Sequence, residues 1–423
     1  MTSETLQTQA IIVGAGPAGA ATSFFLAKAG IPHVIIDKAS FPRDKVCGDA
    51  CSGKTAFVLR RANPALLGEI FENTHQFNPC SGFLFTAPNG SAFQVPFPTQ
   101  VKGEPAEGFV APRLTFDHFL FSKLDPAYAS VYQNASVFDV ERSEGKITLR
   151  FTKEKKTFTV TAPLIVGADG EKSQVRKILM NDNRSEKASS VALRGYYKGV
   201  TGLHQENYIE LHFLPEVRPG YFWIFPLPGG LANVGVGLFS QRKQHRQVNL
   251  RALMLHVIQH HPAIKHRFEK ATLVSKIQGW GLPIHRKRQN ISGDHFLLTG
   301  DAACLVNPFS GEGIGNALAS GMHAALAIEK ALAADKYDAA FLRQCYDDAL
   351  FRLIGDELKV SAMFQRICHY PWLFNLLVTR ARRNPSLGKT VHRMLTDLDL
   401  RKQLQKPSFY IKFLFSRQLK AET

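Results

Sequence analysis

"AIIVGAGPAGAATSFFLAKAG" (residues 10–30), followed at once by "PHVIIDK" (residues 32–38), decides the fold of this chain. A short apolar, β-prone run leads into Gly14-x-Gly16-x-x-Gly19. Ala-rich residues with helical spacing continue to Gly30, and a second apolar run ends in an acid. The glycines have separate tasks: a tight turn, close approach of backbone to a pyrophosphate, and close packing of helix on strand, with the helix N-terminus toward the phosphates. Asp37 lies 23 positions after Gly14, where a carboxylate reaches a ribose hydroxyl. Strand, glycine turn, helix, second strand and acid occur in order. Gly14, Ala15, Gly16, Ala18, Gly19, Asp37 and Lys38 are therefore expected to contact a dinucleotide.

Working outward, two later segments repeat the strand-then-turn logic. "APLIVGADGEKSQVRK" (162–177) reads as a buried strand ending in Asp169-Gly170, with Ser173 and Arg176 opening a helix. "DHFLLTGDAACLVNPFSGEGIGNALASGMHAALAIEKAL" (294–332) reads as a strand, Gly300-Asp301, a Pro/Gly loop and a small-residue helix. These three segments, in this order, resemble those of FAD-dependent oxidoreductases of the para-hydroxybenzoate hydroxylase-like class, over about residues 8 to 335. The resemblance implies FAD as cofactor, with Asp169 in the second motif and Asp301 at the ribityl chain or pyrophosphate. It also implies that the loop and helix start at Gly311, Gly313 and Ile314, running to Asn316, lie at the flavin. A helix N-terminus there offers free N–H groups to the negative charge of reduced flavin. Arg113, in "APRLTFDHFL", sits where such enzymes often have an FAD-contacting arginine; a surface salt bridge is the plainer reading. No second Gly-x-Gly-x-x-Gly follows a strand. Electrons are then expected from NAD(P)H docking transiently, or from a protein donor such as ferredoxin, without a dedicated domain.

Within that class, "FPRDKVCGDACSG" (41–53) and "GYFWIFPLPGGLANVGVGL" (220–238) resemble the geranylgeranyl reductase family, which hydrogenates C=C bonds of prenyl chains. Its R-x-K-x-C-G stretch is matched by Arg43, Lys45, Cys47 and Gly48. Its Y-x-W-x-F-P motif is matched by Tyr221, Trp223, Phe225 and Pro226, which the resemblance makes substrate-binding. One departure stands out: many members continue after the cysteine with glycines, whereas this chain has Gly48-Asp49-Ala50-Cys51. Cys47 has two readings, a thiol that donates a proton to substrate carbon or a small packing residue beside the cofactor, with Arg43 and Lys45 binding FAD phosphates. In the 220–238 strand, Phe222, Ile224 and Leu227 are expected on one face and Tyr221, Trp223 and Phe225 on the other, toward an apolar tunnel. Rival readings are a flavin-dependent monooxygenase or halogenase acting on an aromatic substrate, or an electron-transfer flavoprotein that reduces a quinone. The halogenase G-W-x-W-x-I-P stretch is matched only in part, and Lys54 lies too close to the first motif to serve as the halogenase lysine.

The chain has 423 residues, 45% of them apolar, enough for two or three domains with substantial cores. The expected fold class is α/β: a Rossmann-like FAD-binding domain from residues 1–80, 108–185 and 292–340, with an inserted β-rich substrate domain from 81–107 and 186–291. A basic helical C-terminal region, 341–423, follows. The net charge is +17. Residues 380–423 hold eleven Lys/Arg against three acids, interspersed with aromatics in "KPSFYIKFLFSRQLK". That composition suits peripheral association with an anionic membrane, or a helix packed on the protein with solvated lysines. No nucleic-acid motif accompanies the charge, so no nucleic acid is expected as partner; the expected partner is an apolar small-molecule or lipid substrate. Six scattered cysteines and no signal-peptide pattern suggest a reduced cytoplasmic setting, with peripheral attachment at the inner face of the membrane as the variant. Cys47 and Cys51 lack a second ligand pair, so no metal is expected. No transmembrane span is expected, because the two stretches that lack charge for about twenty residues, Thr5 to Ala27 and Gly220 to Gln241, are interrupted by Gly and Pro.

Overall fold

A computed structural model describes residues 4–97, 108–143, 145–182, 190–239 and 248–383. Its organising sheet has the spatial order Ser292–Gly293, Phe296–Leu298, Leu164–Gly167, Ala10–Val13, His33–Ile36, Ala129–Tyr132. All neighbours pair in parallel except the antiparallel edge strand Ser292–Gly293. The central strands are buried along their whole length, which is why they read as unbroken apolar runs rather than alternating ones. The fold is the expected α/β class, with a Rossmann-type parallel sheet.

Helices Pro17–Lys28 and Ile314–Ala334 pack against each other beside this sheet. Their small residues make the approach tight: a Cβ on Gly321 would lie 2.2 Å from the Ala18 carbonyl oxygen. Gly14 has φ +101°, a backbone region that L side chains rarely enter, and so forms the sharp strand-to-helix turn. An antiparallel layer built from Lys156–Ala162, Lys146–Lys153 and Ser136–Ser143, with Glu4–Gln7 pairing in parallel at its edge, lies next to the first sheet; the sequence reading did not separate it out.

The larger sheet is ordered Thr272–Leu273, Ser190–Lys198, Leu231–Phe239, Gly220–Leu227, Ile209–His212, Gly82–Thr86, Ala92–Pro96, with Gln278–Leu282 also pairing on Ser190–Lys198. Gly220–Leu227 is central and buried throughout. Its two faces enter different cores. Tyr221, Trp223, Phe225 and Leu227 join one cluster with Phe213 and Phe239, whereas Phe222 and Ile224 pack with Met254 and Val257 of helix Leu250–His260. Leu227 therefore belongs with Tyr221, not with Phe222 as expected; the period of two assigns it there, and no bulge intervenes. A small sheet of Ala50–Cys51, Gly108–Val110 and Asn78–Cys80 ties the 41–49 loop to the rest.

The strands of the first sheet come from residues 10–36, 129–167 and 292–298, and those of the larger sheet from 82–96 and 190–282. We propose that this alternation marks the domain division 1–80, 108–185 and 292–340 against 81–107 and 186–291. Beyond it, Asp348–Ile367 and Pro371–Arg383 are helical, and Phe374 and Val378 pack on the aromatic cluster of the larger sheet. The rest of the basic C-terminus, from 384 onward, lies outside the described residues, as do 98–107. Among the described residues no helix is long and apolar enough to cross a membrane.

Candidate active site

One cavity of about 790 Å³ runs between the two large sheets. Its first wall is the glycine turn, where Gly14, Gly16 and Ala18 meet Asp37 and Lys38. Asp37 braces that turn: its Oδ2 accepts from the Ala15 N–H at 2.7 Å and its Oδ1 from the Ala39 N–H at 2.8 Å. Ala15 and Gly19 are not part of the lining. Ala15 is fully buried and offers only that N–H, and a Cβ on Gly19 would stand 1.8 Å from the Gly14 oxygen, so Gly19 lets the helix seat on the turn.

The second wall carries charge. Lys45 Nζ donates to Asp301 Oδ2 at 2.8 Å. Burial works to raise the Asp301 carboxyl, but the Lys45 ammonium and more distant Arg113 and Arg176 hold it below the usual carboxylate range. Arg113 is a buried ion pair rather than a surface one: Nε and Nη2 donate to the two oxygens of Asp117 at 2.5 and 2.7 Å, and Arg43 Nη1 adds a third bond at 2.6 Å. Buried Asp117 is nonetheless kept ionised by these two guanidinium groups. Asp169 caps helix Gln174–Met180 through Oδ2, which accepts from the Gln174 and Val175 N–H groups; its Oδ1 is buried with no partner. Arg176, expected to open that helix, is itself fully buried, donating to the carbonyls of Ala302 and Glu171.

At the far end, Gly311, Gly313 and Ile314 line the cavity where helix Ile314–Ala334 begins. Gly313 is its N-cap and brings no side-chain cap, leaving first-turn N–H groups without an intrahelical partner. Gly311 has φ +72°, and a Cβ there would lie 2.8 Å from the Tyr221 hydroxyl, which instead donates to the Ser310 carbonyl at 2.6 Å. Lys54, set aside in the halogenase comparison, donates to Asn316 Oδ1 at 2.6 Å and to Glu357 Oε2 at 2.8 Å.

The third wall is apolar. Tyr221, Trp223 and Phe225 face the cavity along with Phe83, Leu211 and Phe239. Pro226 does not line it; it alternates onto the other face of the strand, where its carbonyl accepts from Asn78 Nδ2. Cys47 and Gly48 form the rim where this wall meets the charged one, and a Cβ on Gly48 would press to 2.8 Å from the Phe225 ring. Cys47 is half-buried, and its sulfur lies within hydrogen-bonding reach of Arg113.

The sequence reading missed four groups here. Asp49 appeared in it only as a departure from a glycine run. It is fully buried, has φ +69°, and its Oδ2 accepts from the Tyr196 hydroxyl and Asn233 Nδ2, both at 2.8 Å. Tyr196 and Asn233 sit on strands whose alternation marks only which face they share, so no motif signalled them. Glu171, beside Asp169-Gly170, is pushed up to about 7 by burial and by Asp301 nearby. Among the described residues no group of three His, Cys, Asp or Glu side chains is arranged to hold a metal.

A family model described as "FAD binding domain" matches residues 7–338. A menaquinone reductase of Mycolicibacterium smegmatis is 32% identical over 323 residues, covering 74% of this chain and 75% of that protein. A digeranylgeranylglycerophospholipid reductase of Methanococcus vannielii is 25% identical, over 84% of this chain and 86% of that one. Among solved structures, a geranylgeranyl bacteriochlorophyll reductase-like protein of Thermoplasma acidophilum superposes with a TM-score of 0.76 at 20% identity, covering 95% of this chain and 99% of that one. The flavin-dependent brominase Bmp2 does so at 0.77 and 19%, over 96% and 99%, a likeness of fold.

Proposed function

This chain belongs to the FAD-binding-domain family, within it to the geranylgeranyl reductase group of FAD-dependent oxidoreductases, and from that premise we propose that it reduces C=C bonds of an isoprenoid chain carried by a lipid or quinone. The observation that carries the reading is the division of one cavity into a glycine-and-charge half and an aromatic half formed by Tyr221, Trp223 and Phe225. The residues present fit FAD. Gly14 and Gly16 leave a turn that a Cβ would crowd, Asp169 Oδ1 is a buried acceptor without a partner, and a helix start with free N–H groups stands opposite. When bound there, reduced FAD would supply the hydride for one carbon of the double bond.

The chain's own residues do the remainder. Gly14, Gly16 and the Pro17–Lys28 helix start take the pyrophosphate. Asp37, with lone pairs left beyond its two backbone bonds, takes a ribose hydroxyl, and Asp301, held ionised by Lys45, takes the polyol side of the cofactor. Arg113 and Arg43, locked on Asp117, present fixed positive charge to the same region. The aromatic half excludes water and holds a flexible apolar chain against the cofactor. Cys47, at the junction of the two halves, gives the proton that completes reduction. The electron donor in this reading is NAD(P)H or ferredoxin. A quinone ring as the acceptor is the second reading, favoured by the name of the mycobacterial relative.

The test is anaerobic. Dithionite-reduced protein is mixed with a geranylgeranylated glycerolipid or with menaquinone, flavin reoxidation is followed optically, and products are weighed. Gain of two hydrogens per double bond in the chain supports the proposal. Quinol formation with an untouched chain supports the second reading. Oxygen or halide incorporated in air, with no anaerobic reoxidation, overturns both.

A further inference from the structure

We propose that the exposed mouth of the cavity, where Lys172, Arg194, Gln278 and Trp280 meet, is the docking site of a reduced nicotinamide dinucleotide, the electron donor. The inference rests on the reading above for the use of those electrons, and it chooses the nucleotide over a protein donor.

Two rows of paired residues cross the floor of the cavity. In one, Trp280 stands opposite Ala192, Ala192 opposite Gly237, and Gly237 opposite Tyr221. In the next, Gln278 stands opposite Arg194, Arg194 opposite Gly235, and Gly235 opposite Trp223. Residues two apart on a strand share a face with those directly across from them, and both ends of each row line the one cavity. Trp280 lies three strand spacings from Tyr221, about 14 Å at about 4.8 Å each. Bulk sits at the ends, and the glycines between keep the floor low. A Cβ on Gly235 would press to 2.1 Å from the Trp223 ring, and one on Gly237 would meet the same ring at 3.6 Å.

The two ends differ in chemistry. At one, Tyr221 and Trp223 are buried and their polar atoms are spent on the Ser310 carbonyl and on Asn233. The other has donors to spare. Gln278 and Lys172 are exposed there, and the Lys172 ammonium stands 5.6 Å from the centroid of half-buried Trp280. The Trp280 indole N–H is itself buried without an acceptor. Arg194, 1% exposed, stands over the Tyr196 ring and gives Nη2 to Asp44 at 2.7 Å, yet its Nε–H also lacks an acceptor. Two buried donors on diagonal neighbours of one strand pair are costly to leave unmade, so they call for a ligand that brings acceptors.

A nicotinamide dinucleotide supplies what this end lacks. Its flat ring packs on an indole, its carboxamide and phosphate oxygens accept from Trp280 Nε1 and Arg194 Nε, and Lys172 meets phosphate at the mouth. Of the acids nearby, Asp44 is tied to Arg194 and Glu171 is buried. An apolar chain satisfies none of these donors. A lipid phosphate satisfies them but leaves the indole face without a ring, and a protein donor does not reach buried N–H groups. The exchange balances: a C–H bond of the dinucleotide ring breaks with both electrons, the ring leaves as the pyridinium cation, and the hydride goes to FAD. The same pair then reduces the double bond, whose second hydrogen is the proton given at Cys47.

Two measurements on FAD-loaded protein, without any isoprenoid, test it. Calorimetry with NADP+ and NAD+, which do not reduce flavin, should show binding of at least one, weakened roughly tenfold or more in Trp280→Leu and in Lys172→Glu. Anaerobic rapid mixing with the matching reduced dinucleotide should reduce the flavin. Both variants should need a correspondingly higher half-saturating concentration, with limiting rate, dithionite reduction and flavin-to-protein ratio unchanged. Lys172 is exposed, so its variant is informative even where Trp280→Leu folds poorly. Lys146→Glu, exposed on the antiparallel layer, controls for charge, and equal weakening there overturns the proposal. So does failure of both dinucleotides to reduce a flavin that dithionite reduces, or an unchanged half-saturation in the variants. A fall in bound flavin in both variants gives the corner to FAD instead, and binding of glycerol 3-phosphate in place of the dinucleotides gives it to a lipid headgroup; either result overturns the proposal. The reduction of C=C bonds stands apart, because its test starts from dithionite-reduced protein and bypasses this mouth.

Discussion

Replacing Asp49 with asparagine should change how stability depends on pH, with a sign and size set by the burial of one carboxyl. The folded protein holds this carboxyl at about 7 instead of 3.8, chiefly because burial disfavours its charge, against the opposing pull of Asn233, Tyr196 and Arg194. A carboxyl raised on folding binds its proton more tightly in the native state than in the unfolded one. The stability it contributes is complete below about pH 3.8 and is lost as pH rises toward 7. At about 1.36 kcal/mol per pH unit, the interval amounts to about 4 kcal/mol. Asparagine keeps an oxygen for the Tyr196 and Asn233 donors, stays neutral, and tolerates the left-handed backbone better than most residues. The variant should therefore match wild type near pH 4 and exceed it progressively to pH 8, with Glu171, also raised to about 7, cancelling because both proteins carry it. Thermal unfolding of the FAD-loaded proteins, scanned from pH 4 to 8, checks this. At about 2 °C per kcal/mol the curves should diverge by up to roughly 8 °C. Parallel curves over that range refute the assignment of a neutral buried Asp49.

Other expected outcomes are more direct. Asp301→Ala removes a charged acceptor worth about 1.5–3 kcal/mol and strands Lys45, so flavin-to-protein ratio after gel filtration should fall while the fold, read by circular dichroism, persists. Gly19→Ala drives a methyl into the Gly14 carbonyl, backbone against backbone; a loss of about 1–3 kcal/mol or more in denaturant unfolding is expected, against little change for Gly68→Ala, where nothing lies within 4 Å. Cys47→Ser should retain FAD and be reduced normally, yet be reoxidised by substrate about 10²–10⁴-fold more slowly per bound flavin. Truncation after Arg401 should weaken sedimentation with anionic vesicles in a salt-dependent manner and leave flavin content intact; equal sedimentation with neutral vesicles defeats the electrostatic reading.

The nucleotide half of the molecule was legible because its chemistry is written locally. The turn at Gly14, the acid at Asp37 and the loop at Gly311–Ile314 each need particular residue types within a few positions, and each lies on the cavity. The same locality misled at its margins. Ala15 and Gly19 sit inside the motif yet serve the turn, and Pro226 ends a motif yet faces away from the cavity. The second half is assembled across the chain: the Asp49 contacts span 147 and 184 positions. Nothing at Tyr196 or Asn233 differs locally from any strand residue, so alternation reveals a shared face without revealing what the face meets.

That long-range assembly explains why the departure from a glycine run matters. With glycine at 49, the left-handed backbone would be relaxed, but Asn233 Nδ2 would lose one of its two acceptors and the Tyr196 hydroxyl its only recorded one, both in a buried setting. Each stranded donor costs about 1–3 kcal/mol, so the two together outweigh the roughly 1–3 kcal/mol of strain relieved. Asp49, Tyr196 and Asn233 are thus one unit. Through Trp223 Nε1 that unit fixes an aromatic wall residue, and through the Cys47 carbonyl it fixes the loop bearing the thiol. Cys47 and Tyr221 are 174 positions apart in sequence, yet the Asn233 amide bridges the cysteine loop to Trp223, and Gly48 packs against the Phe225 ring. The geometry that positions the Cys47 thiol and the geometry that shapes the apolar wall cannot be altered independently.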